Sequence, residues 1–133
     1  MKKPRHRLPV GKLDERYLRG LLKLVRQSDP HLIIGPRFGE DAAVLEISGD
    51  RCLVVASDPV TFAAARIGWY VVNVNANDVA AVGADPRWIA VVVLLPEHAQ
   101  LPLAREIVGQ AAEAASHLGM TIVGGHTEVT PGL

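Results

Sequence analysis

The sequence contains a single cysteine, Cys52, in 133 residues. One thiol cannot form an internal disulfide, and it cannot build a zinc site that needs several cysteines. Cys52 stands in an apolar run over residues 52–56. We therefore expect a buried structural thiol rather than a nucleophile.

Long apolar runs are also missing. The longest, residues 89–95, has seven residues, whereas a membrane-spanning helix needs about 20. The basic start over residues 1–7 is not followed by an apolar stretch, which excludes a secretory signal of the usual kind. We therefore expect a cytoplasmic protein that does not bind membranes.

Aromatic residues are scarce and scattered, with two tryptophans, two tyrosines and two phenylalanines. This number is too small for an RNA-stacking platform, and the P-loop, dinucleotide-binding and nucleophile-elbow motifs are absent. The 14 basic and 14 acidic residues balance, but residues 1–37 carry a net charge of +7 and residues 38–133 a net charge of −7. The basic segment fits a solvated helix face or contact with a polyanionic ligand, and a nucleic-acid partner is not expected.

The remaining pattern predicts one folded domain over residues 12–133, preceded by a flexible basic arm over residues 1–11. A hairpin turn is expected at residues 48–50. Residues 67–82 alternate like a strand but also fit helical spacing, and a helix is favoured. The chain stops soon after a glycine turn, so we expect a domain taken from a longer protein. Helices are predicted over 12–28, 67–82 and 102–118, and strands over 42–47, 52–57, 87–95 and 121–123.

Acidic and glycine-rich segments follow several of these apolar elements. Carboxylates that come from separate elements suit Mg²⁺, which takes oxygen ligands and often bridges to nucleotide phosphates. Neighbouring glycines let backbone N–H groups approach phosphate oxygens. The segments are Gly39-Glu40-Asp41, Ser57-Asp58, Asn77-Asp78 and Gly124-Gly125-His126-Thr127-Glu128.

Each of these residues also has a simpler interpretation. Glu40 and Asp58 fit surface or capping positions, and Asn77 fits a buried amide that satisfies backbone groups. Asp78 differs because a carboxylate in an apolar helix is costly unless it is paired or bound to a metal. His126 fits a ligand, a general base or a phosphate contact, and these roles stay open.

Taken in order, the segments resemble the N-terminal domain of the aminoimidazole ribonucleotide (AIR) synthetase superfamily. This group includes HypE, thiamine-monophosphate kinase, selenophosphate synthetase and formylglycinamidine ribonucleotide synthetase. The resemblance covers residues 12–133, and the ordered set is specific where any one motif is not. The motifs are GEDAAVL at 39–45, SDPV at 57–60, NANDVAAVGADP at 75–86 and GGHTEV at 124–129.

The resemblance implies a PurM-like α+β fold, with a mixed, mostly antiparallel sheet, helices on one face, and sheet pairing across a homodimer. It implies ATP and Mg²⁺ as cofactors and helical structure over residues 67–82. Metal ligands would be Glu40, Asp41, Asp58 and Asp78, and nucleotide contacts would be Gly39, Asn77, Gly124, Gly125, His126 and Thr127.

Two departures from the family pattern concern the same site. Glu40 stands where many relatives have Asp, and His126 stands where the kinase and HypE branches often carry a carboxylate. Imidazole is a poorer Mg²⁺ ligand than carboxylate, which argues against a metal ligand at this position. His126 is the one candidate for a catalytic group, and its other roles stay open. Selenophosphate synthetases share a Gly-Gly-His turn, but no cysteine precedes the acidic motif here, which argues against that branch.

The sequence therefore predicts the ATP- and Mg²⁺-binding N-terminal half of a HypE-like or thiamine-monophosphate kinase-like enzyme, without its C-terminal domain. Such an enzyme would use ATP to phosphorylate or activate an acceptor that the sequence does not identify. This part alone is not expected to be catalytically competent. The alternatives are a non-catalytic nucleotide-binding dimerisation module and, more remotely, a nucleic-acid-associated domain.

Overall fold

The computed structural model describes residues 8–61 and 65–132. The chain divides into two compact units, Met1–Val54 and Val55–Leu133. The elements, in chain order, are α1 (Glu15–Leu22), β1 (Leu32–Ile34), β2 (Ala42–Ser48), β3 (Arg51–Ala56), α2 (Ile67–Ala81), β4 (Trp88–Leu95), α3 (Leu101–His117) and β5 (Thr121–Val129).

Helix α1 is shorter than its amphipathic pattern predicts. It begins after Asp14, whose side chain accepts a hydrogen bond from the backbone N–H of Arg16 at 2.9 Å, a typical N-cap. It ends at Leu22, because the N–H groups of the next two apolar residues bond to carbonyls three residues back in a tighter turn. Leu24 is 78% exposed, so packing does not stabilise another helical turn. The predicted helix end at residue 28 is therefore wrong.

The first unit contains an antiparallel sheet with strand order β1–β2–β3. The hairpin between β2 and β3 agrees with prediction, and Gly49 in its turn has a φ of +60°. Strand β1 was not predicted, because three residues are too few for a recognisable alternation; it pairs Leu32 with Leu45. Cys52 is exposed, which corrects the expected burial. Its strand leaves even Leu53 38% exposed.

The second unit is organised by the close packing of α2 on α3. The buried face of α2 carries Gly68, Val72 and Ala76, one every four residues. A Cβ on Gly68 would collide with the backbone carbonyl oxygen of Ile107. The small residues therefore allow the two helices to approach closely. On α3, the buried residue Ala111 is also small.

Strands β4 and β5 form a parallel pair. Strand β4 alternates, with Ile89, Val93 and Leu95 buried, as one covered face requires. Strand β5 was predicted to end before the glycine pair, but it continues through it to Val129. The sequence signal misled because glycine usually marks a turn, whereas here the ladder continues after a register shift opposite residues 89 and 90.

The core of the second unit joins both helices to one face of this strand pair. The fold class predicted from the sequence is thus confirmed as mixed α+β with an antiparallel sheet. The division into a basic arm and one domain over residues 12–133 stays a prediction, and residues 1–7 of that arm lie outside the described residues. In the part of the chain that is described, no helix is long and apolar enough to cross a membrane. The core residues are Val72, Ala76, Ile89, Ala111, Ala114, Ala115 and Met120.

Candidate functional site

The acidic loop of the first unit holds Gly39, Glu40 and Asp41 immediately before β2. Gly39 adopts a φ of +91°. Arg37 donates to the Oε1 of Glu40 from Nη2 at 2.7 Å and from Nε at 3.1 Å. Asp41 is exposed and forms no ion pair within the described ranges. The loop therefore presents one carboxylate to solvent, while an arginine neutralises the other.

Asp58 is held against α2 by an asparagine that the sequence did not single out. The backbone N–H of Asp58 donates to Asn75 Oδ1 at 2.8 Å, and Asn75 Nδ2 donates back to the carbonyl of Asp58 at 2.9 Å. Asn75 Nδ2 also donates to the carbonyl of Val71 at 2.8 Å. These bonds fix the backbone of the acidic segment on the helix and leave the Asp58 side chain exposed. The only local signal for Asn75 was a poor helix former within an apolar helix.

The hydrogen bonds between Asn75 and Asp58 form a clamp, and Asp78 lies about one helical turn beyond Asn75. Residues three apart share a side of an α-helix, so Asp78 stands on the same side of α2 as Asn75 and the Asp58 segment it holds. Asp78 is half-buried, and its Oδ2 is shielded from solvent. The structure thus brings two of the predicted carboxylate positions, Asp58 and Asp78, to one side of one helix.

The other asparagines of α2 differ from Asn75. Asn73 donates from Nδ2 to the carbonyl of Trp69 at 2.9 Å, which satisfies one of its amide N–H groups within its own helix. Asn77 is exposed, which corrects its interpretation as a buried amide, and its predicted nucleotide contact stays a prediction.

The glycine pair lies within β5 and forms part of the parallel ladder. Gly124 pairs with Ala90 and Gly125 with Val91. Gly125 has a φ of +150°, and a Cβ there would collide with the backbone of Val91. A Cβ on Gly124 would meet no atom within 4 Å. The two glycines therefore differ in role: Gly125 is required by the backbone, and Gly124 leaves the surface bare.

His126 forms a polar row with Glu128, also on β5, and with Thr130, which directly follows the strand. Its Nε2 lies 3.0 Å from Glu128 Oε2, and the hydroxyl of Thr130 donates to Glu128 Oε1 at 2.9 Å. The hydrogen bond with His126, followed by that from Thr130, holds the pKa of the Glu128 carboxyl below its usual value. Residues two apart share a face of a strand, so the row lies on one side of β5. Thr127, the remaining predicted contact, is exposed.

The predicted metal ligands divide between the units, with Glu40 and Asp41 in the first and Asp58 and Asp78 in the second. Within the described residues of either unit, no three His, Cys, Asp or Glu side chains gather as a metal cluster. The oxygen donors of the aspartates still match the preference of a hard cation. The individual ligand assignments therefore stay predictions.

Comparison with known proteins shows which family the chain resembles. A family model described as AIR synthase related protein, N-terminal domain, matches residues 39–133, a range that contains all four motifs. A selenide, water dikinase of Carboxydothermus hydrogenoformans is 29% identical over 103 residues, covering 75% of this chain and 30% of that protein. Carbamoyl dehydratase HypE of Escherichia coli is 34% identical over 93 residues, covering 67% of this chain and 28% of that protein.

A solved structure extends the likeness to the fold. The Aquifex aeolicus enzyme AaThiL complexed with AMPPCP and TMP matches with a TM-score of 0.67 at 22% identity, over 90% of this chain and 40% of that one. The chain thus spans less than half of the relatives it matches. Differently named enzymes match to similar extents, so the branch of the family stays a prediction.

Proposed function

We propose that the chain binds ATP together with Mg²⁺, because it belongs to the AIR synthase related family, whose N-terminal domain it matches. In this proposal it forms the nucleotide-binding part of an enzyme that phosphorylates or activates an acceptor. The observation that carries the proposal is the placement of two acidic motifs on one side of α2, where Asn75 fixes Asp58 near the turn that holds Asp78.

The donor chemistry of these residues supports Mg²⁺ as the cation. Asp58 and Asp78 offer carboxylate oxygens, which a hard cation prefers. Asp41, in the first unit, carries the same kind of donor. Of the four predicted metal ligands, Glu40 is the least available to a cation, because its hydrogen bonds with Arg37 would have to break first. When bound, Mg²⁺ would offset the charge of the triphosphate and help to orient its γ-phosphoryl group.

The glycine segment supports contact with phosphate. Gly124 is exposed and carries no side chain, so a phosphate oxygen can approach the backbone there. His126 follows directly and is held by Glu128 through Nε2. In the proposal, this contact orients the imidazole, and the ring is the candidate to exchange a proton with the acceptor.

The names of the relatives support nucleotide chemistry but differ in the acceptor. One relative is a dikinase, one is a dehydratase, and AaThiL was solved with AMPPCP and TMP. We therefore propose ATP as the shared ligand and assign no acceptor to this chain.

A homodimer is part of the same proposal. The face of β4 opposite the helices exposes Trp88, Val92 and Leu94, at 63%, 62% and 48%. Parallel strands are usually covered on both faces, and a second copy of the chain would cover this row. Val92→Lys is expected to yield a monomer in analytical ultracentrifugation, whereas Val10→Lys, at another exposed valine, should not alter the mass. Equal masses for both variants would contradict dimerisation through this face.

This apolar row also favours the second candidate function, a nucleotide-binding dimerisation module without turnover. An assay of phosphate release from ATP separates the two candidates. Mg²⁺-dependent binding with release of phosphate favours the enzyme, and binding without release favours the module.

Calorimetric titration with ATP tests the nucleotide site itself. We expect Mg²⁺-dependent binding that is lost in Asp78→Asn and kept in Asp50→Asn, a matched change at an exposed aspartate outside the four motifs. Circular dichroism checks that both variants fold. ATP binding that does not respond to Mg²⁺, or that survives in Asp78→Asn, would refute the assignment.

A further inference from the structure

A groove of about 400 Å³ lies within the first unit, between the end of α1 and the loop that precedes Gly39. Its lining includes Leu22, Val25, Gln27 and Pro36 and, beside them, three basic side chains, Arg19, Lys23 and Arg37, and the ring of Phe38. The predicted metal ligands and glycine contacts do not include any of these residues. The groove therefore shares no residue with the contacts proposed above, although Arg37 pairs with Glu40 at its edge.

The loop side of the groove is tied to the helix side. Gln27 Nε2 donates to the carbonyl of Pro36 at 3.0 Å, which links the segment after α1 to the loop. The guanidinium carbon of Arg19 lies 4.8 Å from the centre of the Phe38 ring, within the range of a cation–π contact. Two independent contacts thus connect the walls of the groove.

The charges in the groove are only partly balanced. Arg19 pairs with Glu15 at 2.6 Å, and Arg37 pairs with Glu40 at 2.7 Å. Lys23 has no carboxylate within 4.0 Å anywhere in residues 8–61 and 65–132. The two ion pairs also use only part of the donor set of each guanidinium. The groove therefore keeps one unpaired cation and spare N–H donors.

The charge distribution along the chain also favours the binding of an anion in this groove. Residues 1–37 carry a net charge of +7, and α1 together with Arg37 concentrates part of it around this groove. A field of one sign attracts small anions toward a site. An ammonium and two guanidinium groups around one groove are the donors with which proteins hold phosphate.

From these observations we infer that the groove binds the phosphate group of a small molecule without a metal ion. The groove is open to solvent but small, and it holds a single aromatic ring; both features favour a compact phosphate over a nucleic-acid strand, which needs an extended basic track and several stacking rings. The phosphate can come from a nucleotide or from a phosphorylated acceptor. This inference does not rest on the proposed function, because it needs neither Mg²⁺ nor the aspartates.

The test titrates the chain with inorganic phosphate and pyrophosphate in EDTA, followed by amide NMR shifts. We expect saturable shifts at Lys23 and Phe38, and an affinity about tenfold lower in Lys23→Gln, which loses one charge-assisted contact. Lys12→Gln is the matched control, because it removes the same charge from an exposed lysine in the same unit. Affinity in Lys12→Gln should stay within about twofold of the original chain.

The source of the phosphate is separated by two further ligands in EDTA, ATP and ribose 5-phosphate. Tighter binding of ATP than of pyrophosphate indicates a nucleotide, and tighter binding of ribose 5-phosphate than of phosphate indicates a phosphorylated acceptor. Asp78→Asn should keep this metal-independent binding, so the failure of the nucleotide site and the failure of the groove remain distinguishable.

Three results would overturn the inference. One is the absence of shifts at millimolar phosphate and pyrophosphate. Another is an equal loss of phosphate affinity in Lys23→Gln and Lys12→Gln, which would mean that the anion responds only to the net charge of the chain. The third is binding of a single-stranded oligonucleotide, with a steep salt dependence, by a chain that ignores inorganic phosphate.

Discussion

Replacement of Gly125 by alanine should strongly destabilise the second unit. The residue sits within β5 with a φ of +150°, a conformation that side chains disfavour. The added Cβ would also collide with the backbone of Val91 on β4. Because Val91 pairs directly with Gly125 in the parallel ladder, the collision cannot be relieved by rotation of a side chain.

The size of the effect follows from these two contributions. A residue forced into a sparsely populated backbone region costs about 1–3 kcal/mol, and overpacking adds about 1–3 kcal/mol. We expect the free energy of unfolding to fall by about 2–6 kcal/mol, a large part of the roughly 5–15 kcal/mol of a typical domain. Urea denaturation at fixed protein concentration should show the midpoint falling by about 1–2 M with the slope unchanged.

The neighbouring glycine supplies the control. An alanine Cβ at Gly124 would meet no atom within 4 Å, so Gly124→Ala should change the free energy of unfolding by about 0.5 kcal/mol or less. If Gly125→Ala were as stable as Gly124→Ala, the argument that the β4–β5 ladder requires glycine at this position would be wrong.

Three further predictions concern the rest of the structure. Gly68→Ala should lose about 1–3 kcal/mol of unfolding free energy in urea melts, because α2 packs closely on α3 there. Gly109→Ala, with open space around its Cβ, should instead gain about 0.5–1 kcal/mol. Similar values for both variants would contradict the close approach of the two helices. Asn75→Ala should cost about 1–3 kcal/mol and speed hydrogen exchange at the amide its side chain holds, and unchanged exchange would disprove the clamp. The hydrogen bond with His126 lowers the pKa of Glu128, so its stabilising contribution is present above the unfolded-state pKa and disappears as pH falls through the lowered folded-state value. In NMR titration, His126→Ala should raise the midpoint of that carboxyl, and a fixed midpoint would exclude the contact.

The longer elements were predictable because they carry strong, repeated signals. Helix α3 shows a proline in its first turn and a glycine after its end, and β4 is a continuous apolar run that a proline stops. Strand β1 was missed because a three-residue strand depends on its partner β2 rather than on its own pattern. The end of β5 was missed because glycine is read as a turn unless the neighbouring strand is known to pair with it.

The candidate site was predictable in its residue types but not in its contacts. The sequence pointed to Asp58 and Asp78, because acidic residues that interrupt apolar elements are rare and costly. It did not point to Asn75, since an asparagine in a helix looks the same whether it caps a distant segment or faces solvent. The ion pair between Arg37 and Glu40 was likewise not predicted, because it depends on the conformation of the loop.

The amino-acid sequence by itself determined most of the helices and strands and the ordered set of acidic and glycine motifs, and the resemblance of that set to a known family implied the α+β class. The elements and motifs depend on hydrophobic period, turn residues and residue chemistry, all of which are local properties of the chain. Only the tertiary structure decided that Gly125 must be glycine, that Asn75 fixes the backbone of Asp58, and that Lys23 lines a groove beside Phe38. These facts depend on atoms brought together from distant positions, and no local pattern in the chain records such proximity.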